Sequence, residues 1–444
     1  MMRLLIADMR YHVSAWAGAF SVAVLCGCLG GWAVLLRAAA DVVPGAAGKV
    51  LVAGAESIVM FSAVAAVVVL ASVSRATVDV QRRSYALWQL AGMGPARVSA
   101  IVAGQVALVG LLGGIVGTLL AAVTLALPVG LLARLDPGLG AAPVSPTASA
   151  LPAVWAGVAG VFFLGGLRGA VAAGRTPALG ALRGEGRPGR RFTVLRAVCF
   201  AAAAACAGWL AAFSCSSVDN AMLGGVFVPV ALAVALAAAA PIALPALVRA
   251  LTAFVPQRFD AWYLARRFAA HGVAADTAIE TPIMAASAIV SGFFSFLAAV
   301  LEYGRVHGQA VNVPDIVPIV FMLGGPVLVF VLGAAVGVAV AARSRANGAA
   351  LLEALGASRA LQERAVACEA FVHAAAASLA GAFCAAMASV VYARAFDIGP
   401  AAAFSAAPGI VVFVLGFLLV LVAALVPVRR ALRGDIARGL AGEE

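Results

Sequence analysis

The chain has 444 residues, 64% of them hydrophobic and 11% charged, whereas soluble domains carry about 45–50% apolar and about 25% charged residues. That balance excludes a soluble fold and, at about 20 apolar residues per spanning helix, leaves room for roughly ten spans and little aqueous domain. The net charge of +11 resides between apolar runs, where Lys and Arg set membrane orientation, so it does not mark a nucleic-acid partner.

The N-terminal stretch Met1 to Tyr11 places Arg3, Asp8 and Arg10 among Met, Leu and Ile, which predicts an amphipathic helix along the inner membrane surface. The apolar run after it is too long for a signal-peptide core and should remain as the first span. Apolar stretches then predict spans at 12–36, 57–74, 98–127, 148–170, 194–213, 222–250, 282–302, 316–342, 366–393 and 404–428. With the N-terminus inside, every Lys and Arg except Arg37, Lys49, Arg134, Arg305 and Arg394 falls in an inner segment. This asymmetry predicts an even number of spans and two cytoplasmic termini. The outer connections are short, including the one at 303–315, and none could build a large extracytoplasmic domain. Preference for Arg over Lys, with abundant Ala and Gly, fits a GC-rich genome.

Seven cysteines lie mostly within apolar runs, without CxxC or zinc-ligand spacing, and read as small core residues. Cys26 and Cys28 point to different sides of a helix and make a poor metal pair. Neither a catalytic, a cofactor-binding nor a metal-binding constellation is expected. A nucleotide-hydrolysing site would need a Gly-rich loop ending in Gly-Lys-Ser/Thr, but the single lysine is Lys49, within Gly48-Lys49-Val50 on the expected outer face. Trp16, Trp32, Trp155, Trp209, Trp262 and Tyr263 lie mostly near span ends, as interfacial anchors do. Gly110, Gly113, Gly114 and Gly117 in the third span predict close helix packing within the bundle. Arg187, Arg190 and Arg191 are placed to meet anionic lipid.

Two inner loops carry a related pattern. Between spans two and three the chain reads Leu90-Ala91-Gly92-Met93-Gly94-Pro95-Ala96-Arg97, and between spans eight and nine Leu352-Glu353-Ala354-Leu355-Gly356-Ala357-Ser358-Arg359. One register aligns Leu90 with Leu352, Gly94 with Gly356, Arg97 with Arg359 and, upstream, Arg83 with Arg345. Both segments predict a short amphipathic helix at the inner surface, with Gly permitting the turn back into lipid.

The segments Ala86 to Gly94 and Ala350 to Arg359 resemble the "LRALGAT" signature of FtsX-like permeases, the MacB-type ABC superfamily. Pro177 to Glu185 is similar to the tail that closes such four-helix modules, and Arg429 to Gly434 repeats it loosely. The resemblance implies an all-α bundle of ten transmembrane helices in a 4+2+4 arrangement. Its modules would be residues 1–190 and 259–444, joined by a two-helix linker at 191–258. It further implies a non-catalytic permease of the bacterial inner membrane, docked on two copies of a cytosolic ABC ATPase that holds the ATP and Mg2+. The coupling residues it implies are Leu87, Leu90, Gly92, Met93, Gly94 and Arg97 in the first loop, with Leu352, Glu353, Leu355, Gly356 and Arg359 in the second. The layout resembles the ten-span permeases of bacitracin and antimicrobial-peptide resistance, whose large extracellular domain between spans seven and eight is absent here. Export or extraction of an amphiphile, lipid or peptide is the implied activity. The alternative is a mechanotransmitting protein that relays ATPase motion outward without moving substrate.

Charges inside spans are functional candidates because they are costly there. Glu369 and His373, four apart in span nine, share a helix face; Glu369 reads as an anchor near the inner interface and His373 as a packed polar group, with a proton relay as the functional alternative. Glu56 and Glu302 sit near the outer ends of spans two and seven. A carrier driven by an ion gradient would need acidic groups deep in the membrane, and few such charges are evident.

Overall fold

A computed structural model describes residues 2–11, 13–41, 45–124, 127, 130, 150–175, 194–253, 259–308 and 316–433. Apart from one short 3-10 turn, their regular structure is α-helical. The helices are α1 Met2–Tyr11, α2 Val13–Ala40, α3 Ala46–Val80, α4 Arg82–Leu90, α5 Pro95–Val123, α6 Leu151–Gly174 and α7 Val194–Ser214. They continue as α8 Val218–Gly224, α9 Val228–Ala253, α10 Asp260–Val306, α11 Ile316–Ala354, α12 Arg359–Ala395 and α13 Ala407–Arg433. The helical, multi-pass membrane architecture expected from composition is what forms.

Among the described residues, nine helices are long and apolar enough to cross a membrane. The expected fourth span corresponds to α6, whose described apolar part is Leu151–Leu167. The sixth is assembled from α8, the 3-10 turn Gly225–Phe227 and α9. Expectations for Arg134, most of the connection at 303–315, the Pro177 to Glu185 tail, the lipid-facing Arg187, Arg190 and Arg191, and the chain beyond 433 lie outside the described residues.

The chain divides into two compact units, Met1–Gly186 with Val313–Val336, and Arg187–Asn312 with Gly337–Glu444. Small residues bring helices together in the first. A Cβ at Gly117 would stand 2.2 Å from the Val24 carbonyl oxygen, and one at Gly113 would stand 2.2 Å from Ala23 Cβ. Gly110 is filled on its other side by Phe162 of α6. The glycines of α5 thus serve packing inside the bundle, which lipid favours because dispersion between close backbones replaces the missing hydrophobic drive. The start of α11 joins by the same means, Gly325 against Ser62 and Gly333 against Val69.

Two tryptophans expected as interfacial anchors instead tie helices together. Trp32 Nε1 donates to Thr124 Oγ1 at 3.1 Å and Trp155 Nε1 to Thr118 Oγ1 at 3.0 Å. Trp16 is buried in the core, while Trp209 stays exposed. A buried indole N–H favours an acceptor, and Thr118 within α5 and Thr124 at its end supply one to Trp155 and Trp32. The cysteines are all free; Cys28 and Cys384 are buried as expected, but Cys206 and Cys215 are exposed on the helix surface.

In the second unit α10 and α12 run side by side, locked where Gly381 meets the Met284 carbonyl and where Ser287 Oγ donates to the Ser378 carbonyl at 3.2 Å. At one end Phe296, Tyr303, Tyr392 and Phe396 cluster, and Tyr392 donates its hydroxyl to the Gly225 carbonyl at 2.9 Å. At the other, Arg429 of α13 holds Glu363 of α12 through two bonds of 2.9 Å.

Gly117→Ala should lower stability by about 1–3 kcal/mol, as overpacking does, read as a reduced thermal midpoint in detergent. Gly157→Ala, where an added Cβ meets nothing within 4 Å, should leave the midpoint unchanged or raise it.

Candidate functional site

The first loop is built from α4 and the turn behind it. Tyr85 and Ala86 bury one face of α4, with Tyr85 packed among Val98, Val102, Ala170 and Ala173. The Tyr85 hydroxyl donates to Gln81 Oε1, and its ring stands edge-on to Trp88 at 5.4 Å. Burial, and secondarily the nearby Asp8 carboxylate, push the Tyr85 phenol well above its ordinary range, so it remains a donor. Asp8 itself, on α1, accepts from the fully buried Gln105 of α5 at 2.8 Å. The N-terminal helix is thereby fastened to the base of the loop. Gln89 donates to the last carbonyls of α6, Ala173 at 3.3 Å and Gly174 at 3.0 Å, satisfying groups that a helix end leaves open. With the opposite face anchored, Leu87 and Leu90 project outward at 51% and 53% exposure.

The turn follows from glycine. Gly92 adopts φ +93°, the Gly92 N–H donates to the Gln89 carbonyl and the Met93 N–H reaches the Trp88 carbonyl at 3.0 Å. This pattern ends a helix through a left-handed residue. Gly94 then caps α5 in extended conformation (φ −65°, ψ 152°), and Pro95 occupies its first position, where a missing N–H is harmless. Met93 is half-buried beneath the loop, and Arg97 is exposed one turn into α5.

The second loop repeats this geometry. Gly356 has φ +90°, its N–H donates to the Glu353 carbonyl, and the Ala357 N–H reaches the Leu352 carbonyl at 3.0 Å. Ser358 caps α12 at φ −66°, ψ 149°, its side chain accepting from the Leu361 N–H. Glu353 accepts from Arg359 Nε at 3.2 Å across the turn, and Leu355 is 77% exposed.

Two expectations are corrected by these turns. The structurally equivalent glycines are Gly92 and Gly356, not Gly94 and Gly356, so the register moves by two residues. Gly94 pairs with Ser358, Pro95 with Arg359 and Arg97 with Leu361, while Leu90 and Leu352 are not equivalent. The sign in the sequence was a glycine followed two residues later by a helix-capping residue. Further, only the first loop has a separate short helix, since the second is the end of the 39-residue α11. The side chains of Arg83 and Arg345 lie outside the described residues.

The intramembrane candidates separate into two kinds. Glu56 pairs with Arg37 at 2.9 Å and Glu302 with Arg305 at 2.6 Å, both pairs toward the surface of the bundle. Glu369 and His373 share a face of α12 as expected, with 3.8 Å between Glu369 Oε1 and His373 Nε2. A third residue joins them: Glu280 of α10, whose Oε1 lies 2.6 Å from His373 Nδ1. The expected seventh span begins at 282 and so leaves Glu280 in the preceding loop, whereas the helix α10 runs through it from Asp260 to Val306. Among the described residues no group of three His, Cys, Asp or Glu is arranged to hold a metal; here the carboxylates approach different ring nitrogens.

Residues 56–176 match the family model of the FtsX-like permease C-terminal domain. This stretch is similar to an FtsX-like permease domain. It begins within α3, contains α4, the Gly92 turn and α5, and ends just past α6. The first repeat of the turn therefore lies inside the matched residues and the second outside them. Neither the curated proteins nor the solved structures gave a match.

Gly92→Ala and Gly356→Ala should each cost about 1–2 kcal/mol, the penalty of a left-handed residue with a Cβ. Gly94→Ala, with ordinary φ and nothing within 4 Å of an added Cβ, should cost less. Amide hydrogen exchange at residues 87–98 and 351–362 reads the difference as local protection. Tyr85→Phe should destabilise by about 1–3 kcal/mol by orphaning buried Gln81, seen as a lower thermal midpoint.

Proposed function

We propose that the chain is the permease subunit of an ABC transporter, driven by a separate ATPase that binds ATP and Mg2+. The observation that carries this reading is the recurrence of one turn, glycine at positive φ followed by an extended cap, at Gly92 and Gly356. Each turn exposes leucine, Leu87 and Leu90 in the first and Leu355 in the second. One lies within the FtsX-like domain, a type of domain that pairs with cytosolic ABC ATPases. Two such sites in one chain suit two ATPase copies, each receiving an apolar knob in a cleft.

In this reading the chain is a ten-span bacterial inner-membrane protein with both termini cytoplasmic. Its modules are residues 1–190 and 259–444, with a two-helix linker at 191–258. Nucleotide-driven closure of the ATPase pair shifts the population of module arrangements, which requires that nucleotide bind one arrangement better than the other. The cargo is an amphiphile, lipid or peptide, antimicrobial peptides included, exported or extracted from the bilayer.

Leu87→Asp with Leu90→Asp, combined with Leu355→Asp, should reduce co-purification of the cognate ATPase at least tenfold while membrane insertion persists. Retention of the ATPase by this variant would overturn the assignment. ATP-dependent movement of an amphiphile in vesicles containing both chains distinguishes transport from relay of force alone.

A further inference from the structure

We propose that the 3-10 turn Gly225–Phe227 is a hinge on which α8 takes two positions, held in this one by the Tyr392 hydroxyl and in the other by the Ser214 hydroxyl. α8, this turn and α9 form one apolar segment, Val218–Ala253. A stretch of 3-10 winding between two α-helical pieces often marks a hinge, and here the sequence imposes it. In α-helical winding the Gly225 carbonyl would accept from the amide four residues on, which belongs to Pro229 and has no N–H. The Val228 N–H bonds the Gly225 carbonyl instead, and that shorter bond tightens the turn.

The two sides of the turn are built differently. On the α9 side, Pro229 fills the notch left by Gly292 of α10, where an added Cβ would stand 2.2 Å from the Pro229 Cβ. That side is anchored. α8 instead closes its own start: Ser217 Oγ accepts from the Asn220 N–H at 3.1 Å, and Asn220 Nδ2 donates to Ser216 Oγ at 2.9 Å. The N-terminal cap therefore travels with α8 when it turns.

Two hydroxyls stand at the hinge. Tyr392 of α12, 0% exposed, donates to the Gly225 carbonyl at 2.9 Å, a second donor for the group that Pro229 leaves short. Its ring lies edge-on to Phe296 of α10, and a Cβ on Gly225 would meet that phenylalanine at 2.6 Å. The turn is thus latched against α10 and α12. Ser214, at the end of α7 and also 0% exposed, borders the residue before the turn: a Cβ on Gly224 would lie 3.0 Å from its Oγ. Ser214 Oγ makes no hydrogen bond in this position. A buried donor left unused costs free energy and calls for a reason. A second position of α8, in which the Ser214 hydroxyl donates to a carbonyl of the hinge, supplies it.

Tyr392 lies about 50 Å from the start of α12 at 1.5 Å per residue. If the permease reading holds, the helix that leaves the second loop carries the latch near its far end, so displacement of α12 releases α8. Only this link rests on that reading; the hinge itself is tested on the purified chain without ATPase.

Amide hydrogen exchange over residues 218–228 in detergent, followed by mass spectrometry, reads the two positions, since local opening sets the rate. Tyr392→Phe keeps the ring and leaves Gly225 its bond from Val228, and it should quicken exchange about tenfold, the change that loss of one hydrogen bond carries. Ser214→Ala removes a bond made only in the second position, so it should slow exchange about threefold to tenfold. In a fixed kink the Ser214 hydroxyl bonds nothing, and its removal would leave the rate where it was. Unchanged exchange in either variant, or a shift of both in one direction, overturns the hinge. Should Tyr392→Phe fail to fold, Ser214→Ala decides alone.

Discussion

In a lipid-embedded bundle, each polar group must find its partner within the protein, because hydrocarbon offers none. That constraint organises both units. In the first, threonines of α5 accept the indole N–H groups of Trp32 and Trp155, Gln89 closes the carbonyl end of α6, and Gln105 donates to Asp8. In the second, Ser287, Tyr392 and His373 each bridge helices that are otherwise joined by small apolar residues. Apolar packing alone would let such helices slide, since Leu against Leu is little different from Leu against lipid. The polar bridges and glycine contacts select one register.

The same constraint explains why the two loops can present leucines outward. A helix end leaves its last carbonyls open, and a chain turning sharply beside a membrane must close them locally. At Gly92 and Gly356 the left-handed residue lets the following amides reach back to those carbonyls. The turn is then self-sufficient, and Leu87, Leu90 and Leu355 beside it remain exposed. In the first loop the opposite face is also fastened to α5 and α6 through Tyr85 and Gln89. In the second the exposed Leu355 directly follows α11.

Glu280, His373 and Glu369 answer the polar-group constraint differently. They gather in one place, with the His373 imidazole between the two carboxylates.

Much of the architecture was legible in the order of residues, because spanning a bilayer demands long apolar runs and the runs are nearly continuous. The helical, multi-pass class follows from that demand, and helical periodicity places Glu369 and His373 on one face of α12. What depended on three dimensions were relations between distant segments. The equivalence of Gly92 with Gly356 emerged from backbone angles, since several glycines and leucines in each loop permit more than one alignment by letter. Trp16, Trp32 and Trp155 turned inward because their neighbours on other helices supplied space or acceptors. Glu280 joined His373 because α10 and α12 lie side by side with their glycines and serines in contact. Hydrophobic periodicity reports how a segment meets lipid; only packing between helices, which is non-local, decides which polar atoms meet each other.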